Sequence, residues 1–164
     1  MNKRIRKKKR KQKNRELCER YPFLIPRHIW TGDIMWNVPK SDWQYTPPYS
    51  FTELDCMPVG WRKAFGEQMC EEIREELIKA NLLNKYRIAQ IKEKFGGLRW
   101  YDDYGNTQID KIIGKYEQMS ERTCICCGRP ATKISIGWIS PYCGNCAKRL
   151  ESGKWPVKFR DMED

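Results

Sequence analysis

Two Cys-x-x-Cys pairs, Cys124/Cys127 and Cys143/Cys146, with fifteen residues between them, limit what this chain can fold into more than any other feature. Four thiolates delivered as two tight pairs suit a tetrahedral zinc ion. Each pair folds back on itself, so two sulfurs reach one ion without a long loop being ordered. Gly128 directly follows the first pair, where a tight knuckle often needs the backbone freedom of glycine. Cys126 lies inside that pair, either as a spare thiol or as a competitor for the metal. Four protein ligands leave no position for water, and a closed four-cysteine site is structural rather than catalytic. Zinc contributes an apparent ~10–16 kcal/mol in small finger peptides, comparable to a domain's net stability of ~5–15 kcal/mol. Its removal is therefore expected to unfold at least the C-terminal module.

Between the pairs, residues 131–136 and 138–142 read as two short strands around Gly137. After Cys146 a short helix is expected, which Gly153 can end. Knuckle, hairpin and a helix carrying the second ligand pair is the order of a treble-clef zinc finger. A zinc ribbon, with a third strand in place of the helix, is the alternative. The module spans 122–155, and 156–164 is expected to be a tail.

Upstream, residues 58–81 read as the main helix. Trp61, Phe65, Met69, Ile73 and Leu77 recur every fourth residue as one apolar stripe, with Pro58 suited to the first turn and Asn81 to the end. Cys70 flanks the stripe as a small apolar group, and the irregular spacing of Cys18, Cys56 and Cys70 argues against a second metal site. Residues 86–104 read as a β-hairpin turning at Phe95-Gly96-Gly97. Residues 107–120 read as a second helix, with Thr107 and Asp110 spaced as a capping box. The expectation for 58–121 is thus an α-β-β-α core, and for the chain an α+β fold: a small helix–hairpin–helix core with a C-terminal four-cysteine zinc module and a disordered basic N-terminal arm.

Residues 16–57 are rich in proline and aromatics, which argues against long regular elements. A wrapping segment that lays its rings on the core is expected, although Trp30, Trp36 and Trp43 would also suit a base-stacking or protein-binding patch. His28 is the only histidine, and no acidic residue flanks it, so packing or exposure is expected rather than chemistry.

The formal net charge of +11 belongs to one stretch. Lys3, Arg4, Arg6, Lys7, Lys8, Lys9, Arg10, Lys11, Lys13 and Arg15 crowd into residues 1–15 with no acid among them, leaving 22 basic against 21 acidic residues elsewhere. So little apolar content predicts a disordered arm, or a helix formed only on a partner. Ten unbroken cations favour phosphate binding, on nucleic acid or a nucleoprotein, over a merely solubilising tail. A membrane surface fits less well, because the arm lacks an apolar face. Lys92, Lys94, Phe95 and Arg99 gather around the hairpin turn and form a second candidate contact for nucleic acid or a partner, against the plainer reading of a solvated turn.

The run Gln90-Ile-Lys-Glu-Lys-Phe-Gly-Gly-Leu-Arg-Trp-Tyr101, followed by Thr123-Cys-x-x-Cys-Gly128, Gly137-Trp138 and the second Cys pair, resembles a family of small bacteriophage and bacterial proteins. The likeness spans about residues 58–150 and leaves out the basic arm. It implies a zinc site and a cytoplasmic, often phage-borne setting, and it carries over no catalytic residue.

The expected function is that of a non-enzymatic, zinc-binding accessory protein that engages nucleic acid or a host nucleoprotein complex in the cytoplasm. An inhibitor of a host defence or nucleic-acid machine, of the anti-CRISPR kind, is the alternative. No nucleophile–base pair, Walker loop or dinucleotide fingerprint is visible. A Mg²⁺-dependent nuclease would have to draw on Asp102, Asp103 and Glu93. No apolar run approaches the ~18 residues that span a membrane.

Overall fold

The computed structural model describes residues 2–162. Its elements are α1 (Lys3–Arg20), a 3-10 turn (Pro22–Leu24), a second 3-10 turn (Glu53–Cys56), α2 (Val59–Trp61), a π-helical turn (Arg62–Gly66), α3 (Glu67–Lys79), β1 (Arg87–Lys94), β2 (Gly97–Asp103), α4 (Thr107–Glu121), β3 (Lys133–Ser135), β4 (Pro141–Tyr142), α5 (Gly144–Glu151) and β5 (Phe159–Asp161). The class is α+β. Among the described residues no helix is long and apolar enough to cross a membrane.

α2, the π turn and α3 run on without a break, because Trp61, Arg62, Gly66 and Glu67 all keep helical dihedrals. The five stripe residues are buried. Strict four-residue spacing drifts by about 40° per step in an α-helix. The π turn holds more residues per turn, so it rotates the stripe back towards the core. The helix ends at Asn81, whose φ of 56° is left-handed, and the Leu82 N–H closes onto the Leu77 carbonyl at 2.8 Å.

The hairpin turns at Phe95 (φ 54°) and Gly96 (φ 82°), a two-residue turn with both centres left-handed. Lys92 pairs with Arg99 and Ile91 with Trp100, with one irregularity between Ile88 and Gln90. Helix α4 satisfies the outer edge of β2: the Leu98 N–H donates to Ser120 Oγ at 2.8 Å and the Trp100 N–H to Glu117 Oε1 at 3.1 Å. The cap of α4 is Asn106, whose side chain accepts from the Gln108 and Ile109 N–H groups. Thr107 is already inside the helix, so the expected capping box is displaced by a better acceptor one residue earlier.

The wrapping segment delivers Tyr21, Phe23, Leu24, Leu54 and Met57 to the same core as the stripe, Tyr86, Leu98, Trp100, Ile109 and Tyr116. Its tryptophans do otherwise. Trp30 and Trp43 are about four-fifths exposed (80% and 77%), and Trp36 lies half-buried against Tyr49. The loop that carries them is tethered from within. The buried His28 accepts the Trp30 and Thr31 N–H groups at Nδ1 and faces Asp42 through Nε2 at 3.5 Å, while the Ile29 N–H donates to Gln44 Oε1. The histidine does have an acidic partner, fourteen residues on in sequence.

The basic stretch is also unlike its expectation. α1 begins at Asn2, which caps the Arg4 N–H, and continues past residue 15 to Arg20, so no structural boundary falls at 15/16. No proline or glycine interrupts it, and Lys, Arg, Gln, Glu and Leu are good helix formers. Its C-terminal half is anchored. Cys18 is buried, Leu17 packs on the core, Asn14 Nδ2 donates to the Tyr49 carbonyl at 3.0 Å, and Arg20 and Tyr21 both bond Glu71.

Candidate metal centre and cationic surfaces

The first cysteine pair forms a knuckle: the Gly128 N–H donates to the Cys124 carbonyl at 2.9 Å, and Gly128 adopts φ 81°. The second pair straddles the start of α5. Cys143 is the N-cap and Cys146 lies in the first turn, so helical geometry aims both thiols one way. Between them β3 pairs with β4, and β5 adds to the other side of β3 in the order β4-β3-β5. Residues 159–161, expected within a tail, therefore complete the sheet of this module. The Met162 N–H donates to the Thr132 carbonyl beside it.

The ligand atoms of Cys124, Cys127, Cys143 and Cys146 all lie within 4.8 Å of one another, and the Cys127 and Cys143 sulfurs are 3.6 Å apart. A tetrahedron of sulfurs at ~2.3 Å from zinc has edges of about 3.8 Å, so the spacing and the all-thiol donor set fit a metal ion. Among the described residues this is the one cluster of three or more His, Cys, Asp or Glu side chains close enough to share an ion. Cys126 is not part of it, and burial pushes that thiol's pKa up. Asp102, Asp103 and Glu93 do not converge. Glu93 is opposite Leu98 near the tip and Asp102 is opposite Ile88 near the open end, about 13 Å apart by strand rise.

The electrostatics favour thiolate at one edge of the cluster. Arg129, through its side chain and backbone N–H, holds the Cys127 thiol down to about 6. Burial, then contact with Cys143, pushes Cys146 up. Arg149 Nη2 lies 4.0 Å from Cys146 Sγ. Two guanidiniums thus offset a site that, as a metal tetrathiolate, would carry −2. Neither arginine stands out in the sequence as a site residue; the only signal for Arg129 is its place directly after the knuckle glycine.

The knuckle is seated on the main helix by two glycines. A Cβ on Gly60 would come within 2.2 Å of the Cys124 carbonyl oxygen, and one on Gly128 within 2.6 Å of the Gly60 carbonyl oxygen. The Gly60 N–H donates to the Ile125 carbonyl at 2.9 Å, and Trp61 Nε1 donates to the Thr123 carbonyl at 2.8 Å. The four-cysteine cluster is therefore continuous with the core.

The cations expected to bind nucleic acid fall into two groups on different elements. In α1, Arg10 donates to the Ser50 carbonyl, Lys13 pairs with Glu67 at 2.8 Å, and Arg15 lies over the Tyr49 ring. Lys3, Arg4, Arg6, Lys7, Lys8, Lys9 and Lys11 form no ion pair with another described residue, and all but the half-buried Lys11 are exposed. At the hairpin, Lys94 lies over the Phe95 ring at 5.4 Å and Lys92 over Tyr101 at 5.1 Å. Arg99 leans towards Glu117 at 4.0 Å. No protein-family model, curated protein or solved structure matches the chain.

Proposed function

We propose that this protein is a zinc-stabilised, non-catalytic nucleic-acid-binding protein whose first contact with phosphates is made by α1. The observation that carries the reading is the helix itself. From Lys3 to Lys9 six of its seven side chains are cationic, all seven are exposed, and none of the six has an ion-pair partner among the described residues. Like charges three and four apart destabilise a helix, and cations near its N-terminus oppose the macrodipole. A polyanion laid along those turns relieves both penalties and releases counterions.

The ion assigned to the four cysteines is Zn²⁺, in a closed, structural role. Knuckle, short hairpin and a helix bearing the second pair support a treble-clef arrangement over a zinc ribbon. Arg129 and Arg149 keep the tetrathiolate from repelling a nearby polyanion.

Fluorescence anisotropy with a labelled duplex at two salt concentrations tests the reading. With about six phosphates neutralised, affinity falls by roughly three orders of magnitude between 50 and 200 mM salt. Deletion of residues 2–9 removes most of that slope. Binding that ignores both the salt and the deletion overturns the proposal.

A further inference from the structure

Two hairpin tips meet in this fold, and both present apolar rings to solvent. Phe95 and Trp138 are each 76% exposed, beside Ile136 and Ile139 at 56% and 44%. The tips touch: a Cβ on Gly96 would meet the Ile139 side chain at 3.3 Å. Trp138 is fixed in place, its Nε1 donating to Glu93 Oε2 at 3.0 Å, while Glu93 Oε1 accepts the Gly96 N–H at 2.7 Å. The ring of Phe95 gains little from folding, and its residue holds a left-handed φ of 54° that asparagine or glycine would adopt more easily. A strained, exposed aromatic contributes little to stability, which points to a use at the surface.

Charge selects the occupant. Lys94 lies over Phe95 and Lys92 over Tyr101, itself 44% exposed, so cations alternate with rings along the outer face of the hairpin. Of the nearby carboxylates, Glu93 keeps its charge but lies on the strand face opposite Lys92 and Lys94, held by the Trp138 and Gly96 N–H groups, and Glu117 is bonded by the Trp100 N–H and Arg99. Glu121 lies against Gly97, on the α4 side. Flat rings interleaved with lysines fit a ligand of alternating π-faces and phosphates.

We infer that the joined tips form a binding platform for single-stranded nucleic acid, with unpaired bases stacking on Phe95 and Trp138 and the backbone passing Lys92 and Lys94. The inference rests on the nucleic-acid reading above and adds a distinct site with its own ligand class. Duplex bases are already stacked on one another and cannot reach the rings, so the platform takes only unpaired strands, whereas α1 takes the phosphates of either form. The platform exists only while the zinc module is docked, because Trp138 comes from that module and Phe95 from the core.

The test uses the full chain with labelled oligothymidylate of about 20 nucleotides and a duplex of equal length. Phe95→Gly combined with Trp138→Leu is expected to weaken single-strand binding by about 100-fold, roughly tenfold per ring, and to leave duplex binding within about twofold. Trp138→Tyr, which keeps a ring, retains most of the affinity, whereas Trp138→Leu, of similar apolarity, does not. Unchanged bound zinc and melting temperature certify each variant, and Phe95→Gly alone keeps the test standing if a Trp138 variant misfolds. Equal losses on both ligands, or no loss on the single strand, overturn the platform; in the second case the rings are left to a protein surface. If charge removal from α1 abolishes duplex binding while the ring variants change nothing, the general reading survives and the platform falls. If the wild type binds neither ligand, both fall.

Discussion

Glu53 occupies the 3-10 turn ahead of the main helix, and burial pushes its carboxyl up to about 7. The turn packs against β1 and is closed at its other end by the reciprocal bonds of Thr52 and Asp55, so the backbone holds Glu53 where water is scarce. The sign follows from proton counting. Between the ordinary carboxylate pKa and about 7 the folded chain holds a proton that the unfolded chain has lost, so the contribution of Glu53 to stability falls as pH rises through that window. Glu53→Gln should therefore be nearly neutral near pH 4 and stabilising by about 1–2 kcal/mol at pH 8, a value reduced because the side chain keeps some contact with solvent. Urea unfolding at both pH values measures it; an equal effect at the two would show that Glu53 does not titrate in this range. Nothing in the sequence marks this residue, since its burial comes from a strand more than thirty positions away.

At the level of elements, what could be read from the sequence divides by how local the causes are. The main helix, the hairpin and α4 were legible because their signals lie within a few residues: a four-residue stripe, two turn residues before Gly97, an apolar repeat. The cluster of four cysteines was legible for the same reason. Strand β5 was not, because its partner β3 is more than twenty residues upstream, with α5 between them. The exposure of Trp30 and Trp43 follows from the tethers His28–Asp42 and Ile29–Gln44, which no local pattern announces. For α1, a rule based on apolar content predicts disorder, but propensity, the Asn2 cap and an anchored C-terminal half oppose it. The balance is narrow, since Lys3 and Lys7, Arg4 and Lys8, and Arg6 and Arg10 repel across single turns. Far-UV circular dichroism at 222 nm should show helix content rising from low to moderate salt, and rising further with an excess of nucleic acid. A loss of about two turns is expected at low salt, with little change in melting temperature, because residues 3–9 are all exposed. A salt-independent signal would mean that the repulsion is already neutralised.

Across the whole molecule the decisive contact is the seat of the knuckle on the main helix. The carbonyls of Cys124 and Ile125 lie where any side chain at residue 60 would go, and the Trp61 indole bonds the Thr123 carbonyl just before Cys124. A metal ion that fixes Cys124 and Cys127 therefore also fixes the surface against which Trp61, a fully buried core residue, is packed. Ligand thiols must be deprotonated to bind metal, so protons compete with the ion and its loss is favoured as pH falls. Stripping the metal with a strong chelator at neutral pH should lower the melting temperature by at least about 10 °C, the equivalent of roughly 3 kcal/mol or more for a chain of this size. Tryptophan emission should shift to the red as Trp61 is released, and re-addition of Zn²⁺ should restore both. Gly60→Ala separates docking from ligation, because it leaves all four thiols in place and forces the knuckle off the helix. It should destabilise by about 3 kcal/mol while zinc stoichiometry stays at one per chain. Unchanged stability in Gly60→Ala, or a metal-free chain that melts with the metal-bound one, would show that the four-cysteine module and the core fold independently. The single-stranded platform, which needs both hairpin tips, would then lose its structural basis as well.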